Sequence, residues 1–73
     1  DVNWLRVGGT SCSVLSNGLH EVQIMDAQGR MIQSINGKGW KDYSMPSSLN
    51  SNSVYFLQVK TEQGTAVRGF VAP

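Results

Sequence analysis

The fold class is indicated by residues 22–32, which read Val-Gln-Ile-Met-Asp-Ala-Gln-Gly-Arg-Met-Ile. Apolar and polar side chains alternate at its start, which is the period of a β-strand with one buried face. Asp26 and Gly29 then occupy the first and fourth positions of a four-residue segment, as in a type I turn, and a second apolar pair follows. The stretch predicts a β-hairpin in which Gly29 has a positive φ and Asp26 accepts a hydrogen bond from the turn backbone.

Short apolar segments separated by turn residues continue in both directions along the chain, whereas helical periodicity is sustained nowhere. We therefore expect an all-β fold, a small immunoglobulin-like sandwich of about seven antiparallel strands. The predicted strands cover residues 3–7, 10–15, 19–25, 31–35, 40–45, 53–61 and 66–71.

Three further features of this sandwich are predicted from the sequence. Asn36-Gly37 favours a left-handed reversal after the fourth strand. The polar stretch 47–52 is expected to cross between the sheets with Leu49 docked on the core, and the strand at 53–61 is expected to be central, with both faces covered. The inward-facing side chains should be Leu5, Val14, Val22, Ile24, Tyr55, Leu57 and Val59.

Size and composition limit the possible functions. A chain of 73 residues has room for one domain, residues 1–73, with a thin core and little space for a buried catalytic pocket. Charged residues make up only 15%, and uncharged polar residues replace them, as suits an extracellular accessory module. The chain begins at Asp1 without a methionine, as an excised domain or a processed chain would, so we expect the rest of a larger parent protein to be missing.

Charge, cysteine content and hydropathy argue against several partners. The net charge is +1 and the basic residues are scattered, so the sequence shows no basic patch of the kind that binds nucleic acid. A single cysteine, Cys12, allows neither an internal disulfide nor a zinc site of the usual spacing. No apolar run approaches the ~20 residues that span a bilayer, so membrane insertion is not expected.

The potentially reactive side chains have simpler structural explanations. His20 is expected at the surface or a sheet edge without a partner, and Cys12 as a small core residue. Asp26 belongs to a turn, and with Gln28 it falls far short of the oxygen cage that calcium requires. No catalytic residue, metal ligand or cofactor is therefore predicted.

Aromatic residues leave one alternative function open. Trp4, Trp40 and Tyr43 could stack on sugar rings, as in a carbohydrate-binding module. In a regular strand, however, Trp40 and Tyr43 point to opposite faces. Core packing is therefore favoured over sugar stacking for Trp40, whereas Trp4 remains open between the two.

Four segments of the chain follow a family pattern: VQIMDAQGRMI at 22–32, YSMPSSL at 43–49, VYFLQV at 54–59 and VRGFV at 67–71. In order and spacing they resemble the C-terminal sorting domains of the bacterial type IX secretion system. The likeness covers residues 19–71, and the first strands match only in being short β-segments. The sequence differs from the family pattern at Ser53, where glycine is common, and in lacking a basic tail after Val71.

The resemblance implies a seven-stranded immunoglobulin-like sandwich at the C-terminal end of a secreted cargo protein. In such families the outer-membrane export machinery recognises this domain. We therefore expect a non-catalytic sorting or accessory module of a secreted or cell-surface bacterial protein, whose parent could be a glycoside hydrolase. The alternative is a carbohydrate-binding module, with Trp4, Trp40 and Tyr43 as its contacts, which anchors an attached enzyme to plant polysaccharide.

Overall fold

A computed structural model describes residues 2–73 and confirms the all-β prediction. The seven strands, in chain order, are β1 (Leu5–Val7), β2 (Ser11–Val14), β3 (Leu19–Asp26), β4 (Met31–Lys38), β5 (Lys41–Ser44), β6 (Val54–Thr61) and β7 (Gly64–Val71). Within the described residues there is no helix that is long and apolar enough to cross a membrane.

The strands form two antiparallel sheets, which gives a small β-sandwich. One sheet has three strands in the order β1-β2-β5, and the other has four in the order β4-β3-β6-β7. Each sheet directs one set of alternate side chains toward the other, and the core lies between them.

The β3–β4 hairpin has the predicted turn. Gly29 has φ +85° and its N–H donates to the Asp26 carbonyl at 3.0 Å. The Asp26 carboxylate accepts hydrogen bonds from the backbone N–H groups of Gln28 at 3.0 Å and Arg30 at 2.9 Å. A register shift between Ile24 and Met25 then bends the hairpin.

All seven residues predicted for the core are buried. Val22 lies opposite Val59 and Ile24 opposite Leu57 at the centre of the four-stranded sheet. They pack against the inward residues of β1 and β2, and the complete buried hydrophobic cluster is Trp4, Leu5, Cys12, Val14, Val22, Ile24, Tyr55, Leu57, Val59 and Ala72.

The connection between β5 and β6 crosses from one sheet to the other, as predicted. Leu49 is partly buried against the core. The backbone N–H of Asn50 donates to the Tyr55 hydroxyl at 2.8 Å, which ties the crossing to a buried strand residue. This bond gives the Tyr55 hydroxyl a hydrogen-bond partner in an otherwise apolar region.

The reversal predicted at Asn36-Gly37 is wrong. β4 continues to Lys38, and the chain turns at Gly39-Trp40, where Gly39 has φ +76°. β4 stays paired with β3 over this segment, where Glu21 lies opposite Asn36 and His20 opposite Gly37. Continued ladder pairing outweighs the local turn preference of Asn-Gly.

The sequence predicts that both faces of the strand at 53–61 are covered, and for β6 this prediction is wrong. The strand is central within its sheet, between β3 and β7. Its outer side chains are nevertheless open to solvent, with Val54 47% and Phe56 38% exposed. The physical reason is that only two layers are formed by the described chain, so each sheet is covered on one side.

We predict that Leu57→Ala lowers the free energy of unfolding by about 2–5 kcal/mol, because it leaves a cavity in a fully buried site. Thermal or urea unfolding measures the loss. Val67→Ala is the matched control, since Val67 lies on the outer face of the same sheet and should change stability by less than about 0.5 kcal/mol. Equal effects of the two substitutions would contradict the assigned facing.

We predict that Gly29→Ala costs about 1–2 kcal/mol, because an L-residue is strained at φ +85°. Crowding does not contribute, since an added Cβ would meet no atom within 4 Å. Gly9→Ala is the control, because Gly9 has equally open surroundings and no left-handed φ. Chemical unfolding that finds Gly29→Ala no more harmful than Gly9→Ala would refute the turn assignment.

Candidate functional site

The three aromatic residues considered for sugar stacking do not form a platform. Trp4 is only 5% exposed and belongs to the core. Trp40 is 69% exposed, so the prediction that it packs in the core is wrong. The reason is that β5 begins at Lys41, which leaves Trp40 in the turn after β4. Tyr43 points inward and is half-buried.

His20 is buried, which contradicts the expectation of a surface or edge residue. It lies on the inner face of β3 in phase with Val22 and Ile24, and it is 4% exposed. Its Nε2 lies 2.5 Å from the Tyr43 hydroxyl, and the two rings meet edge to face with centroids 5.6 Å apart. A polar link therefore joins the four-stranded sheet to the three-stranded sheet.

Gly37 makes the space for this link. It lies directly opposite His20 on β4, and a Cβ at this position would overlap both the Tyr43 hydroxyl and His20 Nε2. A strand interior normally disfavours glycine because it has no side chain to pack. Here the missing side chain is the reason that two polar groups meet between the sheets.

The pKa shifts of this cluster favour neutral groups. Burial, with the charge of Lys41 as a second cause, lowers the pKa of His20. Burial and then the neighbouring Cys12 raise the pKa of Tyr43, while burial and then Asp42 raise the pKa of the Cys12 thiol. The cluster thus acts as a neutral hydrogen-bonded contact, and Cys12 is the small buried residue that was predicted.

The described carboxylates have structural contacts. Asp26 is held by its own turn and by the Arg30 side chain, whose Nε lies 2.7 Å from Oδ2. Asp42 accepts a hydrogen bond from Ser13 at 2.6 Å. Within residues 2–73, no group of three or more His, Cys, Asp or Glu side chains could hold a metal ion.

The surface that sequence reasoning missed is the outer side of the four-stranded sheet. Register places Met25 opposite both Met31 and Phe56, and Val54 opposite Val71. We call this set the apolar face, and its members are Met25, Met31, Val54, Phe56, Val67 and Val71. The alternating residues of β6 carry the signal for this surface, but an apolar second face equally predicts a strand that is covered on both sides.

The apolar face reaches the edge of the sheet at β7. Val67 and Val71 are each 56% exposed on this strand. Gly69 lies between them, opposite Phe56, and its missing side chain lets the Phe56 ring lie against the strand. The other end of the same sheet face is polar, with Glu21 opposite Lys60. An apolar surface is thus concentrated at one end of the sheet and one edge.

No protein-family model, curated protein or solved structure matches this chain.

We predict that acidification destabilises the fold through His20. The unfolded chain takes up a proton near pH 6.5, whereas the lowered folded-state pKa keeps the buried ring neutral. The free energy of unfolding should therefore fall as the pH decreases below 6.5 and level off below the folded-state pKa.

An NMR titration of the His20 ring should give a pKa below 6.5, and His20→Gln should remove the slope in this range. The pKa of Asp26 is lowered from 3.8, chiefly by the backbone N–H of Arg30, so its stabilising contribution is lost only in more acidic solution. A His20 pKa at or above 6.5 would contradict the buried placement.

Proposed function

We propose that this domain is a non-catalytic sorting or accessory module of a secreted or cell-surface bacterial protein, and that it acts by binding another protein. The observation that carries the proposal is the apolar face, which is exposed on a sheet whose inner side already forms the core. Contiguous exposed apolar patches on small domains commonly mark interaction sites.

The position of the sorting-domain resemblance supports this proposal. All six residues of the apolar face lie within the matching segments: Met25 and Met31 in 22–32, Val54 and Phe56 in 54–59, and Val67 and Val71 in 67–71. Core packing requires the alternate residues of these segments, but it does not require apolar residues on the outer side. A partner that binds the outer face would explain why these segments carry apolar residues on the outer side as well as on the core side.

The geometry gives less support to a carbohydrate-binding module. Trp40 is the exposed member of the three aromatic residues, while Trp4 is buried and Tyr43 is bonded to His20. Sugar stacking commonly needs a flat exposed ring with polar groups at its rim. Trp40 alone in a two-residue turn is a weaker basis for function than the six-residue apolar face.

We predict that the apolar face is needed for export. Residues 1–73 are fused to a reporter with an ordinary export signal and expressed in a bacterium that has the type IX machinery. The intact fusion should reach the surface or the medium. Val67→Glu with Val71→Glu should trap it in the periplasm, because two charges replace exposed apolar contacts without entering the core.

The matched control is Ser11→Glu with Ser44→Glu, two exposed positions that pair with each other on the outer side of the three-stranded sheet. This variant should be exported normally, and thermal melts should show that both variants are folded. Deletion of the last strand is a poorer test, since Ala72 is buried and bonded to the residues before β6.

Normal export of the folded Val67→Glu, Val71→Glu fusion would overturn the proposal. Retention of the domain on insoluble cellulose, xylan or mannan, lost in Trp40→Ala, would favour the carbohydrate-binding alternative if the intact fusion is not exported.

A further inference from the structure

The free edge of β4 differs from the other strand edges of the sandwich. β4 is the last strand of its sheet, and its inner residues, Gln33, Ile35 and Gly37, are all uncharged. β7, at the opposite edge, carries Arg68 among its inner residues, and an inward charge is a known protection of edge strands. The edge strands of the other sheet, β1 and β5, are only three and four residues long. β4 is therefore the long edge whose inner side is open to pairing.

The backbone of β4 directs hydrogen-bonding groups to this edge. The N–H of Gly39 donates at 2.8 Å to the carbonyl of Gly18, the residue before β3, so Gly39 faces β3. Because these directions alternate along an antiparallel strand, the backbone groups of Lys38, Asn36 and Ser34 point away from β3. The register shift of the hairpin lies before residue 33 and leaves this part of β4 regular. It can pair with another strand.

The inner side of β4 is also less well covered than the rest of the core. The three-stranded sheet is one strand narrower than the sheet on which it packs. Ile35 is only partly buried, whereas Val22, directly opposite it on β3, is 2% exposed. The side-chain oxygen of Gln33 is buried and accepts no hydrogen bond within residues 2–73. An apolar side chain and a polar acceptor are thus both available for contact at this edge.

We propose that two copies of this chain pair through their β4 edges, antiparallel and about a two-fold axis at Ile35. Ser34 then pairs with the partner's Asn36, and Asn36 with the partner's Ser34. Each Ile35 lies opposite the partner's Ile35, so two partly exposed side chains cover each other. The two four-stranded sheets become one continuous sheet. Self-complementary contacts of this kind are usual for dimers of soluble proteins.

The same register gives Gln33 a donor. Gln33 lies opposite the partner's Gly37, and Cβ positions directly opposite each other are about 4.5–5.5 Å apart. In each copy the Tyr43 hydroxyl occupies the position that a Gly37 Cβ would take. A glutamine side chain spans this distance, so its oxygen comes within hydrogen-bond reach of the partner's Tyr43. That hydroxyl can accept from His20 and donate to the partner's Gln33 at the same time.

Charge does not oppose the pairing of two copies. Lys38 is the charged residue of β4, and the register places it opposite the partner's Ile32. The two lysines are then about 20 Å apart along the strands, which exceeds the screening length of about 8 Å at physiological salt. An unrelated strand would make the same backbone bonds, but it would not match Ile35 with itself or Gln33 with Tyr43. This match favours a second copy.

Self-association is tested on the 73-residue chain by sedimentation and amide hydrogen exchange. Pairing along one strand is a small contact compared with a standard interface of about 1,600 Å², so we expect a dimer that dissociates on dilution. Sedimentation between about 10 μM and about 1 mM should show a reversible monomer–dimer equilibrium. Over this range, exchange at Ser34 and Asn36 should slow as the concentration rises, while exchange at Thr65 and Gly69 on β7 should not change.

Ile35→Lys and Ile35→Glu test the position of the axis. Each variant alone should weaken the dimer at least about tenfold, because the two-fold axis places like charges directly opposite each other. An equimolar mixture of the two should recover most of this loss, since unlike charges then face each other. Recovery depends on contact between copies, so a folding defect in either variant cannot produce it.

Asn36→Pro tests the backbone pairing without a change in the core. Proline removes an N–H that points to the free edge and makes no ladder bond within one copy. The dimer loses two symmetry-related hydrogen bonds and should be weakened at least about tenfold. Thr65→Pro is the matched control, since it removes an edge-facing N–H from β7 and should leave self-association unchanged. Thermal melts of both variants should show folded chains.

Three results would overturn the β4 pairing: a chain that stays monomeric at the highest concentration, a dimer that folded Asn36→Pro does not weaken, or a mixture of the Ile35 variants that does not recover. The pairing goes beyond the proposed function and does not depend on it. Export of the Val67→Glu, Val71→Glu fusion tests that function separately, so the failure of one is distinguishable from the failure of the other.

Discussion

The structure depends on one layer of apolar side chains shared by two sheets. Val22, Ile24, Leu57 and Val59 on the four-stranded sheet pack against the inward residues of β1 and β2. At 73 residues, hydrophobic burial on one face of each sheet must stabilise the fold without a disulfide. The outer faces are exposed to solvent, so packing in the core of the described chain does not explain the apolar residues on them.

Period-two alternation and turn chemistry made much of this fold predictable. They identified seven strands, the Asp26 turn and the buried residues, because these features depend on neighbours in sequence. The errors have long-range causes. Nothing near His20 in sequence reveals Tyr43 as its partner, and Asn36-Gly37 reads as a turn until its pairing with β3 is known. An apolar outer face reads like a covered one, since sequence gives the alternation of β6 but not the number of layers.

Polar contacts add specificity to a core that apolar packing alone would define loosely. The His20–Tyr43 hydrogen bond joins β3 to β5, and it is possible because Gly37 has no side chain. Since one partner comes from each sheet, the bond constrains how the sheets face one another. His20 Nδ1 has no hydrogen-bond partner in the described part of the chain, so this constraint carries a desolvation cost.

β7 combines an inner face that closes the core with outward residues that belong to the apolar face, and its free edge pairs with no other described strand. Hydrogen exchange of the unbound chain tests this division most directly. We expect slow exchange at the amides of Ala66, Arg68 and Phe70, which face β6, and fast exchange at Thr65, Val67 and Gly69 between them. Uniformly slow exchange along β7 in the free monomer would contradict the account, because it would mean that the edge is already covered.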